Sequence, residues 1–197
     1  MEKYKLDIAK GFDPRTQKQI GFWAAQLEYQ LKKLKYAVKD LTVKQLEWQQ
    51  KPGMNTVGML LAHNALVEVW WVCVAPKGIL WDPDGKKLVT KILGFEDDGM
   101  PLAQNGKHPS FLKKYTAAQY LSVLTKCRRA ILKEMKSWRD KDLDKFYTLK
   151  HGNQQAEFTR AWTLYHVLEH FCTHHGQILL LKHLMQNDGV LKKKKTK

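Results

Sequence analysis

An all-α fold, a bundle of four long helices, is what this 197-residue sequence predicts. Three observations carry the expectation. Apolar residues recur at intervals of three and four in four separate runs. Good helix caps stand ahead of most of those runs. No internal repeat or linker divides the chain, which suits one domain over residues 1–190 followed by a Lys-rich, disordered tail at 191–197.

The first helix is expected over 17–39, where Ile20, Ala24, Leu27, Leu31 and Leu34 form one stripe with lysines between them. In "LTVKQLEWQQKPG", Thr42 with Gln45 three residues later reads as a capping box on a short helix, broken by Pro52 and Gly53. Asn55 and Thr56 then open a long helix through "VGMLLAHNALVEVWWVCVA" to Pro76. Residues 77–114 are rich in Gly, Pro, Asp and Lys and read as one long excursion between the second and third long helices. Segments of that length are commonly lids or mobile loops. Thr116 and Gln119 form a second capping box, opening a helix to about Trp138 with Tyr120, Leu124, Cys127, Ile131, Met135 and Trp138 on its apolar stripe. "KFYTLKHGNQQAEFTRAW" holds a His-Gly-Asn turn between short β-compatible runs, a small hairpin. The last helix runs from about Thr159 to Gln186.

Composition narrows the function classes. Hydrophobic residues at 44% and charged residues at 27% are ordinary for a globular protein. "MEKYKLDIAKGF" has no apolar run behind its basic residues, and "VWWVCVA" is far too short to cross a bilayer, so a cytoplasmic protein without a membrane partner is expected. Cys73, Cys127 and Cys172 show no paired spacing and imply no disulfide framework. The net charge of +15 draws on five lysines in "LKKKKTK" and on a basic group at Lys126, Arg128, Arg129, Lys133, Lys136 and Arg139. Such a surface attracts polyanions without sequence preference. No nucleic-acid motif accompanies it, so no specific nucleic-acid partner is expected.

The chemistry concentrates in "HVLEHFCTHHGQI", residues 166–178, with four of the eight histidines. On a helix, residues four apart differ by about 40° in direction and about 6 Å in height. His170 and His174 therefore share a face and can reach one ion, the spacing of many zinc-binding helices. His166 extends the row by a turn, Gln177 falls near the direction of His170, and His175 points away by about 100° from His174. A catalytic metal usually takes a third protein ligand. The choices are His63, His108, His151, His166 and His183. His63 sits mid-helix among apolar residues, where a lone histidine is more often a hydrogen-bonded core residue. Facing a His-x3-His pair across a bundle, it is equally a ligand, since bundles build metal sites from facing helices. Spacing leaves both roles open. Cys172, about 200° from His170, and Cys73, about 15 Å along its helix from His63, fall outside any such site.

"WQQKPGMNTVGMLLAHNALVEVWW" (48–71) and "HVLEHFCTHHGQILLLKHL" (166–184) together resemble the two motifs of the DinB/YfiT superfamily, a group of proposed metalloenzymes. The resemblance implies an up-down-down-up four-helix bundle, a divalent metal such as zinc or nickel, and frequent homodimers. It assigns His63, His170 and His174 as the metal ligands. Gly176 and Gln177 match the family pattern, while His175 stands where the family usually has arginine. Characterised relatives include thiol-dependent S-transferases and a mycothiol-dependent isomerase, which implies a low-molecular-weight thiol as cosubstrate and a small-molecule electrophile. A metal-dependent hydrolase is the alternative. It would need a carboxylate beside the ion, and neither Glu68, about 140° round the helix from His63, nor Glu169 is well placed. A non-catalytic basic bundle binding an acidic partner is the third possibility. No catalytic acid or base and no substrate-binding residue is assignable from the sequence; His166 is a candidate for proton transfer or for a supporting role behind the ligands.

Overall fold

The computed structural model describes residues 5–97, 99 and 102–192. Most of the expected tail, residues 193–197, lies outside them. The elements are α1 (Lys18–Val38), α2 (Val43–Leu46), α3 (Val57–Val69), α4 (Pro83–Leu93), α5 (Ala117–Met135), β1 (Phe146–His151), β2 (Gln154–Thr159) and α6 (Arg160–Asn187). The fold is thus mostly helical with a small antiparallel sheet, and not purely all-α as expected. Strands β1 and β2 pair from Phe146↔Thr159 to His151↔Gln154, and Gly152 supplies the positive φ of +58° that their tight turn needs.

Side-chain caps fix where the helices start. Thr42 and Gln45 exchange bonds at 3.0 and 3.3 Å, and Thr116 and Gln119 do the same at 2.8 and 3.3 Å, so both capping boxes form. Thr56 accepts from Met59 N at 3.0 Å and Thr159 from Trp162 N at 3.1 Å, starting α3 and α6. Helix α1 has no local side-chain cap. Asp140 supplies one from across the chain, its carboxylate accepting from Gln19 N and Ile20 N at 3.1 Å each. Buried Gln17 returns the favour at the end of α5, donating to Lys136 O and Trp138 O at 2.9 and 2.7 Å. Helix α5 ends at Met135, short of the expected Trp138, but Trp138 is still buried.

The excursion departs most from expectation, because residues 83–93 form the eleven-residue helix α4. Its "WDPDGKK" start resembles a turn. In fact Pro83 takes the first helical position, where its missing N–H costs nothing. Gly85 is there for space: a Cβ would lie 1.9 Å from Ile79 O. Val89 and Leu93 then bury the inner stripe of α4 against α3 and α5.

Helix α3 packs against α5 and α6, and α1 packs against the same two helices. Nearly all of α3 is buried, and a Cβ on Gly58 would come 2.5 Å from Tyr120 OH on α5. By length and composition the run Val57–Lys77 could cross a membrane, but 78% of its most apolar window is buried inside the protein. Beyond Val69 the helix widens to a π-helical stretch, Trp70–Val74, and tightens to a 3-10 turn, Ala75–Lys77. The π-helical stretch carries Trp70 and Trp71, and they meet different partners: Trp70 packs on Trp81, and Trp71 on Trp162. Glu68 turns the other way and pairs with buried Arg128 of α5.

Candidate metal centre

Helices α3 and α6 bring three imidazoles together. His63 Nε2 lies 3.1 Å from His170 Nε2, which lies 3.1 Å from His174 Nε2. The ring centroids are 4.9, 5.0 and 4.3 Å apart for the pairs 63–170, 63–174 and 170–174. All three side chains are half-buried, so the cluster is open to a small ligand on one side. Of the other histidines weighed as a third ligand, His108 bonds Thr56 at the start of α3, His151 packs on Trp81, and His183 is exposed near the end of α6. His63 is the one that joins the pair.

The donor set fits a divalent cation. Four-coordinate zinc with Zn–N bonds of about 2.0–2.1 Å spaces its ligand nitrogens roughly 3.3 Å apart. As hydrogen bonds the same contacts are awkward, because His170 Nε2 carries one proton or one lone pair and never both. Gln177 settles the form of His174: the Nδ1–H donates to Gln177 Oε1 at 2.7 Å, leaving the lone pair on Nε2 facing the other two rings. Two of the rings, His63 and His170, are also kept neutral. Burial first, then nearby His174, pushes His63 down to about 4. Burial, with His174, His63 and His166 adding to it, pushes His170 down to about 3. A neutral imidazole is the form that binds metal.

A row of aromatic rings extends from the cluster. Trp162, His166, His170 and His174 follow one another at four-residue spacing on α6. Trp162 and His166 are stacked, 4.8 Å apart at 10°, and His166 lies 5.7 Å from His170. Trp71 packs its edge on Trp162 and His166 at 5.2 and 4.9 Å, and Phe158 of β2 closes the group 4.7 Å from Trp162. This wall was not picked out from the sequence. Its signal was there, in the i, i+4 spacing of Trp162 and His166 ahead of His170. Burial lowers the His166 pKa, against a smaller opposing effect of Glu169.

His175 faces the interior, 7% exposed, where burial and then Lys33 and Lys182 lower its pKa. Glu68 is committed to Arg128, and Glu169 accepts from Thr173 Oγ1 at 3.3 Å. Among the described residues, the group that could hold a metal contains no carboxylate or cysteine.

The structure resembles the crystal structure of a DinB-like protein from Bacillus cereus ATCC 10987 with a TM-score of 0.56 and 17% sequence identity, covering 93% of this chain and 100% of that one. At that identity the likeness speaks for the fold. No curated protein matches the chain. The family model of the DinB superfamily matches residues 26–178, a span that includes all three histidines of the cluster. The chain belongs to the DinB superfamily.

Proposed function

We propose that this protein is a divalent-metal-dependent enzyme that activates a low-molecular-weight thiol for transfer to a small electrophile. The observation that carries this is the convergence of His63, His170 and His174 through Nε2, with the tautomer of His174 set by Gln177. These three residues would hold the ion, zinc or nickel. Three neutral ligands leave such an ion its full charge, and that charge lowers the pKa of a thiol brought to it.

The chain's own residues account for the rest. Cys73 and Cys127 cannot serve as nucleophiles, since burial pushes both thiols up to about 12. Burial raises Cys172 as well. These shifts favour an external reacting thiol. Trp71 and Trp162, with Phe158 behind them, form an apolar wall around His166, one ring along from His170, suited to the carbon skeleton of a substrate. Hydrolysis is less well supported, because Glu68 and Glu169, the two carboxylates weighed as a base, are otherwise engaged. The same proposal takes the four long helices as an up-down-down-up bundle in a cytoplasmic homodimer.

Cobalt substitution tests it. Titrating a small thiol into the cobalt protein should produce a sulfur-to-cobalt charge-transfer band that His170→Ala abolishes. The thiol should also react faster with a test electrophile when the metallated protein is present. If no physiological thiol perturbs the cobalt spectrum, thiol transfer is the wrong reaction.

A further inference from the structure

A second site lies on other helices. A groove runs between α1 and α5 in two adjoining lobes of about 530 and 400 Å3, which share Lys35, Thr125 and Arg129 in their walls. Lys32 on α1 and Lys126 on α5 add two more cations. Among the described residues, Lys32, Lys35 and Arg129 have no carboxylate partner within ion-pair distance. Lysines and arginines lining one groove repel one another.

Beneath the smaller lobe lies Arg128, only 2% exposed. Its Nε and Nη2 bind Glu68, but Nη1 is buried without a hydrogen-bond partner. The nearest carboxylate on that side is Glu28 Oε1 at 3.8 Å, beyond hydrogen-bond reach, on a side chain that is half exposed. A buried guanidinium N–H left unmet is costly. Glu28 stands over it as a loose, displaceable anion.

We propose that this groove binds a small phosphorylated anion, whose oxygens replace the Glu28 carboxylate over Arg128 and meet Lys32, Lys35 and Arg129. Arginine and lysine with hydroxyl-bearing neighbours are the usual partners of phosphoryl oxygens. Ser122 in the larger lobe supplies such a neighbour here, whereas the Thr125 hydroxyl already donates to Leu121 O at 2.6 Å. No aromatic side chain lines either lobe, so nucleobases would find no ring to stack on. That favours a compact phosphoanion over a nucleic-acid strand.

The test uses the full chain and inorganic pyrophosphate at constant ionic strength, followed by calorimetry. Binding should saturate at one per chain and persist in His63→Ala, because the anion does not sit at the histidine cluster. The double variant Lys35→Glu/Arg129→Glu should weaken it by about tenfold or more, the scale of losing one or two charge-assisted hydrogen bonds. Lys35→Met/Arg129→Met, a milder change, should act in the same direction. Glu28→Gln should strengthen binding about threefold, since it removes the competing carboxylate. Lys86→Glu/Lys87→Glu on α4 should leave it unchanged. Equal affinity in the groove variants would overturn the proposal. So would non-saturating binding that every charge reversal weakens alike. Tight duplex DNA binding that needs Lys35 and Arg129, with no saturable pyrophosphate binding, would replace it with a nucleic-acid backbone site.

Discussion

Gln177 holds His174 by its far nitrogen, Nδ1 to Oε1 at 2.7 Å, and so turns the Nε2 lone pair towards His63 and His170. The contact is made within one turn of α6, by a residue outside the histidine cluster. Partners of this kind usually tune metal affinity by about 10–100-fold. Gln177→Ala should weaken metal binding within that range without abolishing it, and Gln177→Glu, which still accepts from Nδ1–H, should restore most of it. Competition against a chromophoric chelator measures both. Unchanged affinity in Gln177→Ala would show that the contact plays no part in holding the ring.

The geometry also ranks the histidines. His63→Ala should lose metal as fully as His170→Ala, because each removes one of three converging nitrogens. His183→Ala should keep one ion per chain, since its exposed ring lies about 13 Å beyond His174 along the helix. Elemental analysis of untagged protein decides this. Chelation should lower the melting temperature yet leave helical circular dichroism intact at room temperature, as the shared apolar core does not depend on the ion. Full occupancy in His63→Ala would remove it from the ligand set.

Acid should act on the metal-free protein through the same rings. His63 and His170 are held down at about 4 and about 3 in the folded chain, against about 6.5 for an unfolded histidine. Between those values the unfolded chain binds more protons, so stability rises with pH. The contribution is complete above about pH 6.5 and is lost as the pH falls towards 3. Urea midpoints of chelated protein should therefore drop steadily from pH 7 to pH 4.5. The slope should flatten in His63→Gln/His170→Gln. An equal slope in both proteins would assign the acid sensitivity to other groups.

Much of this was legible in the sequence, for local reasons. Thr42, Thr56 and Thr116 mark helix starts because a cap and the N–H it satisfies lie three residues apart. His170 and His174 share a face for a similarly local reason, the pitch of a single helix. His63 depends on how α3 meets α6, so its position left it between core residue and ligand, and the family resemblance assigned it as a ligand. Helix α4 was missed because Asp-Pro-Asp-Gly reads as a turn, while the reason for Gly85 is the approach of Ile79 O. The cap on α1 was invisible for the same kind of reason: its donor of charge, Asp140, is 120 residues away.

That remote cap can be tested directly. Asp140 accepts from two orphan N–H groups at the start of α1 and places a negative charge at the positive end of the helix. Asp140→Ala should destabilise the protein by about 0.5–2 kcal/mol, the range for losing an N-cap. Asp140→Asn, which keeps an acceptor but not the charge, should cost less. Denaturant unfolding measures both, and metal content should not change in either. A loss below about 0.3 kcal/mol for Asp140→Ala would mean that water caps the helix equally well.

Two roles for His166 are separable by substitution. Its ring is stacked on Trp162, lies edge-on to Trp71 and is 5.7 Å from the His170 ring. Glu169, the acid nearest to it, is 3.9 Å from Nδ1, too far to hold a proton there. Packed in this way, His166 acts as part of the aromatic wall. Phenylalanine keeps the shape of a stacked ring and removes both nitrogens. His166→Phe should then retain one metal per chain and keep the thiol reaction within about threefold of the parent, whereas removing a general acid or base typically costs about 100-fold or more. His166→Ala should do worse than His166→Phe, because it opens the wall between Trp71 and Trp162. A rate loss of about 100-fold in His166→Phe with metal still bound, together with loss of one limb of the pH–rate profile, would make His166 the proton carrier instead.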